Sequence, residues 1–325
     1  MKRIAFILVL LVLCVLCIYK MNEQYDELAR YPHVLNEAQR TLVLDKLDAD
    51  EINYLVSQKI EPEQFLPYLE QEDFILRNTL WYDLAMNTQK TEVKEVITFI
   101  NQYRDKIAYE HLEAYLTHYS YNELMRFFDM EQTLSLCVNP KDPYLMIGEQ
   151  ESIFTYEPKG LVLLKDLKVS DKLPLKKHYL RENVIPHLKT LLKNAKQSNN
   201  LTNGNLEVIC GYLSYEQQLS LLEDHHPIME QVKLQAGGQS ELQLGYSVLI
   251  SFKEEKKLSK EKNERAYQDA LSYLKDQCAK HGFTIRNIYE KRLIELRYVG
   301  LDLAMALQEQ KLTLEEIDLT KFRQE

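Results

Sequence analysis

At 325 residues the chain is long enough for two domains and at least one sizeable core. Its 45% apolar and 27% charged residues are the ordinary balance of a folded protein. A formal net charge of −9 argues against a nucleic-acid partner, which would want a basic stripe.

The first element lies at the N-terminus. Lys2 and Arg3 precede an uncharged run from Ile4 to Tyr19, which Lys20 closes. Sixteen helical residues span about 24 Å at ~1.5 Å each, slightly short of a ~30 Å hydrocarbon core, a mismatch that snorkelling lysines and local thinning absorb. A cleaved signal peptide would need small residues at the cut, and the run ends Cys17-Ile18-Tyr19-Lys20 instead. The basic pair before the run and the acidic Glu23, Asp26 and Glu27 after it predict a cytoplasmic N-terminus. The expectation is a single-pass anchor at residues 4–19, within a first segment of 1–20, with all later residues extracytoplasmic.

Residues 21–135 carry no glycine and only Pro32, Pro62 and Pro67. Apolar residues recur at three and four, as in Ile52, Leu55, Val56 and in Val96, Ile100, Tyr103, predicting an all-α juxtamembrane domain. Asp48 or Asp50 is expected to cap one helix and Thr91 another, with Pro62 in a first turn. Residues 51–69 align over 111–128 with one gap, pairing Ile52 with Leu112, Leu55 with Tyr115, Phe65 with Leu124 and Tyr68 with Phe127. Two weak copies suggest a duplicated helix-turn-helix and fall below a solenoid signal. Tyr103, Tyr109, Tyr115, Tyr119 and Tyr121 are expected to pack between helices, and His111 and His118 to lie on a solvated face.

Beyond Val138 the texture changes, and a third segment, 136–325, reads as α+β. A short strand-like run ends "YEPKGLVLL", and 178–200 is predicted as a long amphipathic helix ending in a polar turn. Residues 206–222 read as a strand, a turn at Gly211 and a helix starting near Ser214. A strand at 245–252, a helix at about 262–281 and strand-like runs "GFTIRNIY" and "LIELRYVG" follow. Five cysteines make no disulfide framework. Cys14 and Cys17 lie in the anchor; Cys137, Cys210 and Cys278 are expected as buried thiols, with one bridge among them left open.

Ordered words in this half carry a resemblance. They are Val138-Asn139 with Tyr156, Pro158 and Leu161; Cys210-Gly211-Tyr212-Leu213-Ser214-Tyr215-Glu216-Gln217; Ser240-Glu241-Leu242-Gln243-Leu244-Gly245 with Leu249; Gly282-Phe283 with Arg286; and Arg297-Tyr298-Val299-Gly300 with Ala304. Over 138–317 the chain resembles the VanY-type D-alanyl-D-alanine carboxypeptidases, zinc peptidases of bacterial cell walls. The resemblance implies a zinc-peptidase-like domain with a small antiparallel sheet and flanking helices.

It also implies where a metal and its helpers would sit, and there the sequence departs from the family. Leu242, Leu249 and Glu295 occupy the three zinc-ligand positions, Arg292 that of the catalytic glutamate, and Leu213 that of an arginine that would stabilise charge. A catalytic zinc needs three N, O or S donors and an open site for water, and leucine has no lone pair. The expectation is no zinc, no cofactor and no catalytic residue. Tyr212, Ser214, Gln217, Ser240, Glu241, Gln243, Arg297 and Tyr298 are groove candidates. Arg297 is the expected partner of Glu295, since the two share a strand face, with an exposed, unpartnered Glu295 as the alternative. The functional expectation is an envelope-anchored pseudoenzyme that binds a peptidoglycan stem peptide or an envelope protein. The alternatives are an active carboxypeptidase with unorthodox ligands, for which His225-His226 with Glu241 or Glu295 would be the displaced site, and a helical adaptor with a filled groove.

Overall fold

The computed structural model describes residues 2–23, 26–130, 133–165, 167–197, 206–232, 234 and 236–323. Two compact units divide the chain, Met1–Tyr121 and Asn122–Glu325.

In the first unit, α1 (Lys2–Glu23) is a 22-residue helix on which every described side chain from Leu10 to Ile18 is exposed. The expected transmembrane span is not supported here: among the described residues no helix is long and apolar enough to cross a membrane. Six shorter helices follow: α2 (Glu37–Lys46), α3 (Ala49–Gln58), α4 (Pro62–Phe65), α5 (Thr79–Thr88), α6 (Val93–Tyr103) and α7 (Tyr109–His118), and α8 (Tyr121–Asp129) begins at the unit boundary. Asn36 and Asp48 close capping boxes with Gln39 and Glu51, satisfying the orphan amides of α2 and α3, and Pro62 opens α4. Thr91 does not cap α6; Glu92 holds that position, and Thr91 donates to the Glu95 carboxylate instead.

The internal repeat has three copies rather than two. The leading helices α3, α5 and α7 start at Ala49, Thr79 and Tyr109, thirty residues apart. Equivalent positions are buried in each: Ile52, Tyr82 and Leu112, then Leu55, Ala85 and Tyr115. A unit of this size cannot bury its apolar face alone, so stacked neighbours complete the core. Tyr103, Tyr115, Tyr119 and Tyr121 belong to that core, whereas Tyr109 is exposed and meets Trp81 edge-on.

The second unit is α+β. β1 (Ser135–Leu136) pairs in parallel with β2 (Glu151–Ser152), and β3 (Leu161–Leu163) pairs antiparallel with β4 (Tyr179–Arg181). β4 occupies the start of the expected 178–200 helix. The helix itself, α9, runs only Ile185–Gln197, because Pro186 suits a first turn and Tyr179–Arg181 find a strand partner; the predicted polar turn at 198–200 lies outside the described residues. β5 (Leu206–Cys210) leads to α10 (Tyr215–Glu223), whose capping box joins Ser214 and Gln217, and then to α11 (Pro227–Gln231). β6 (Ser247–Phe252), α12 (Lys260–Gln277), β7 (Phe283–Tyr289), β8 (Leu293–Tyr298) and α13 (Leu301–Gln310) complete the unit.

The main sheet has the order β5-β6-β8-β7, antiparallel throughout. Side chains alternate across it. Val248, Ile250, Ile294 and Leu296 pack with Leu188, Leu191 and Leu192 of α9 and Ala270 and Leu274 of α12. Leu249 and Leu293 join a second apolar cluster on the opposite face. Both faces are thus covered, and every residue of β6 is buried. Cys137, Cys210 and Cys278 are buried free thiols, and burial pushes the Cys137 thiol up to about 12 and that of Cys278 up to about 11.

Candidate functional site

On the face of the sheet away from α9 and α12 lies a cleft of about 350 Å³. Leu242 and Leu249 reach its base; Ser240, Glu241, Arg286, Asn287, Tyr289 and Glu295 supply its polar wall; Val232, Leu234, Gln239 and Ile147–Glu149 complete its lining. β7 carries a bulge between Ile285 and Asn287, where Arg286 is the extra residue. A bulge re-aims a strand's side chains, and here Arg286, Asn287 and Tyr289 all line the cleft.

The floor is apolar. Leu213, Leu242 and Leu249 belong to one buried cluster with Ile209, Leu221, Ile228, Met229 and Leu293. Each fully buried leucine contributes ~1.5–3 kcal/mol relative to an exposed one. The positions where the resemblance implies two ligands and an arginine are therefore filled by mutually packed side chains.

The motif residues between them hold structural posts. Ser240 Oγ accepts from Leu242 N at 3.2 Å and so caps the short 3₁₀ turn Glu241–Leu244. Gln243 is buried: its amide oxygen accepts from Gln218 Nε2 at 2.6 Å, and its Nε2 donates to the carbonyls of Phe154 and Tyr156. Gly245 leaves the turn at φ +73, and an added Cβ would lie 2.9 Å from Leu161 Cδ2. These contacts explain how the motif persists without its ligands.

The wall is a charge network. Arg286 grips Glu241 through two bonds, Nε to Oε2 at 3.1 Å and Nη2 to Oε1 at 2.7 Å, and reaches Glu315 at 2.6 Å. Burial would lower the Arg286 pKa, but the two carboxylates hold it raised. Glu295 faces Leu249 on one side and Asn287 on the other in the sheet register, and is 7% exposed. Its Oε2 accepts from Tyr289 Oη at 2.6 Å and from Asn287 Nδ2 at 3.2 Å. Burial first and Glu241 second hold its carboxyl above the usual range, against the pull of those two donors and of Arg286.

Both expectations for Glu295 are thereby corrected: it is neither exposed nor paired with Arg297. Arg297 shares its strand face but turns to the carbonyl of Pro143 at 2.9 Å and to Glu241 Oε2 at 3.7 Å, and lies over the Tyr246 ring. Its guanidinium is fully buried, and burial lowers its pKa while Glu241 opposes. The nearby carbonyls and Glu241 serve its Nη atoms, its buried Nε has no partner among the described residues, and the Glu295 carboxyl is served by Tyr289 and Asn287 instead.

Of the eight groove candidates, Ser240 and Glu241 line the cleft. Ser214 and Gln217 form the capping box of α10, and Tyr212 is buried with its amide on the Tyr179 carbonyl. Gln243 and Arg297 are buried as described, and Tyr298 packs against Phe283 and His187. Arg292 sits at φ +61 and binds Glu254 and Glu264. Asn287 and Tyr289 escaped the sequence reading, and Arg286 entered it as part of a motif but not as a site candidate; the strand alternation that could have joined Asn287 and Tyr289 is broken for Arg286 by the bulge.

A zinc ion does not fit this donor set. Leu242 and Leu249 offer no lone pair, Glu241 is held by Arg286, and Glu295 stands as a single carboxyl. Among the described residues no group of three His, Cys, Asp or Glu could hold a metal. His226, a member of the displaced pair considered above, caps α11 through Nδ1.

Residues 177–298 match the family model VanY, D-alanyl-D-alanine carboxypeptidase. YodJ of Bacillus subtilis (strain 168), a protein named as a carboxypeptidase, is 29% identical over 192 residues, covering 55% of this chain and 67% of its own. Among solved structures, the chain is similar to the LdcB LD-carboxypeptidase, whose structure is described as revealing peptidoglycan recognition, at 27% identity and a TM-score of 0.44, over 56% of this chain and 88% of that one. It is also similar to the zinc-bound D,D-pentapeptidase VanY of a VanB-type resistance cassette, at 19% identity and a TM-score of 0.38, over 54% and 97%. DacB of Streptococcus pneumoniae D39 follows at 24% identity and a TM-score of 0.31, over 45% and 78%. The matched region contains the main sheet and most of the residues lining the cleft, and residues 177–298 form a domain of the VanY-type D-alanyl-D-alanine carboxypeptidase family.

Proposed function

We propose that this protein is a membrane-anchored pseudoenzyme of the cell envelope that binds a peptidoglycan stem peptide without cleaving it. One observation carries the reading: Leu213, Leu242 and Leu249 close into a single apolar cluster while the cleft above them stays open and polar. A filled-in groove would have kept the apolar cluster and lost the open cleft. Hydrolysis needs an activated water, and neither a ligand set nor a base stands at the positions that would supply one. The family supplies the ligand class, since its model is named for carboxypeptidases acting on D-alanyl-D-alanine.

The anchor is part of the proposal. An uncharged stretch at residues 4–19 with its described side chains exposed is costly in water and comfortable in lipid. The basic residues before it place the N-terminus in the cytoplasm and the rest outside. Protease added to intact protoplasts is expected to digest the chain beyond about residue 20; a protected C-terminal unit would refute the topology.

The decisive experiment pairs zinc content of the purified protein with release of D-alanine from a stem pentapeptide and with peptide binding by calorimetry. Substoichiometric zinc, no release and measurable binding are expected. Release that EDTA abolishes would establish an active enzyme, and absence of binding would favour an adaptor.

A further inference from the structure

The cleft continues into a second, of about 670 Å³, and the two share Val232, Asn287 and Tyr289. Together they form one trough. Among its described lining residues are five carboxyl groups, of Glu149, Glu230, Glu241, Glu290 and Glu295, and two cations, Arg286 and Lys291. Arg286 is occupied on both sides by Glu241 and Glu315. Lys291 lines only the second cleft. Arg297 is fully buried and lines neither cleft, with its Nη atoms on backbone carbonyls and Glu241 and its Nε without a partner among the described residues; Arg292 binds Glu254 and Glu264, and position 213 is leucine. A ligand carboxylate entering the first cleft therefore meets carboxylates and, among the described residues that line it, no uncommitted cation. Like charges brought together out of water repel strongly.

Glu295 presents the complementary feature. Tyr289 and Asn287 both donate to Oε2, and among the described residues no donor reaches Oε1. The residue is 7% exposed, and it lines the cleft. A nearly buried carboxyl with one oxygen free, in an acidic trough, is short of a positively charged donor. An ammonium satisfies it with a charge-assisted bond and offsets the trough's excess negative charge.

We infer that the trough recognises the side-chain ammonium of a diamino residue in its peptide, bound at Glu295 Oε1, and not the peptide's terminal carboxylate. This deepens the peptide-binding proposal and rests on it. The ligand is then gripped by an internal residue rather than by the end that a carboxypeptidase would cut.

The test uses the full-length protein in detergent and N-acetylated L-Ala-γ-D-Glu-L-Lys-D-Ala, whose lysine carries the sole amine. Calorimetry compares it with a form acetylated on the lysine Nε and with a form amidated at the C-terminus. Nε-acetylation is expected to weaken binding about tenfold or more and amidation about twofold or less. Glu295→Gln, which keeps an acceptor for Tyr289 and Asn287, is expected to weaken the parent peptide to the level of the acetylated one while the melting temperature holds. Binding that survives Nε-acetylation but is lost on amidation overturns this inference and leaves stem-peptide binding standing. If none of the three peptides binds, the peptide-binding proposal falls and this inference with it.

Discussion

The floor and the wall of the cleft are separated by one strand position, yet they follow opposite rules. Leu249 of β6 and Glu295 of β8 are register partners, one part of a dry leucine cluster and the other held by Tyr289 and Asn287 beneath a carboxylate–guanidinium network. In the floor, three positions that would carry polar chemistry in the family are apolar together, so no group is left buried without a partner. In the wall, charge is retained and balanced by geometry. The lesson is that a cleft keeps its shape here with two of the implied ligand positions and the implied arginine position filled by one packed leucine cluster, while the third ligand position, Glu295, stays a hydrogen-bonded carboxyl in the wall.

The largest break in this comparison is a charge placed in the floor. Leu249→Asp puts a carboxylate among Leu213, Leu242 and Leu293, and is expected to cost ~3–5 kcal/mol or prevent folding. Denaturant melts with and without zinc would read it; a stable Leu249→Asp variant would show a floor that is not closed. Next comes the frame. Gly238 has φ +81, and an added Cβ would lie 2.7 Å from Phe154 N, a backbone atom that cannot give way cheaply. Gly238→Ala is expected to cost about 2 kcal/mol or more, read by the same melts. An unchanged midpoint would mean that the segment before the cleft shifts freely.

Glu295 sharpens the comparison through pH. Its folded-state pKa lies above the unfolded value, so the folded state binds this proton more tightly. The associated stability is complete below about pH 4 and is lost as pH rises through the folded value. The unfolding free energy of the native protein relative to Glu295→Gln is thus expected to fall as pH rises from 4. A difference that grows with pH would mean that the carboxylate form is the one stabilised. The smallest effect belongs to Arg292, outside the cleft. Its partners Glu254 and Glu264 are more than half exposed, so Arg292→Ala is expected to cost no more than about 1 kcal/mol, and less at high salt. A larger, salt-independent loss would show that its packing against Phe252 and Tyr267 dominates.

Elements whose signals are local were legible. Ser214 with Gln217 starts α10, Asp48 with Glu51 starts α3, Pro62 opens α4, and the apolar runs of β5, β6 and β8 are strands, because caps and alternation act within a few residues. The α9 start was misplaced because Tyr179–Arg181 read as helical by pattern and become a strand only once Leu161–Leu163 lie alongside. The middle repeat was missed because Tyr82 and Ala85 differ in size from Ile52 and Leu55, although all four are buried equivalently.

The sequence by itself determined which chemistry is missing, since no arrangement of the backbone gives Leu242 or Leu249 a lone pair. Only the tertiary structure decided what became of the charges. Glu295 could have met Arg297, two residues away on the same strand face; instead Arg297 found Glu241 and the Pro143 carbonyl, while Asn287 and Tyr289 arrived from the neighbouring strand. Hydrogen bonds form with whichever donor lies within about 3 Å, and for a buried side chain that neighbour is set by strand register and by the bulge at Arg286.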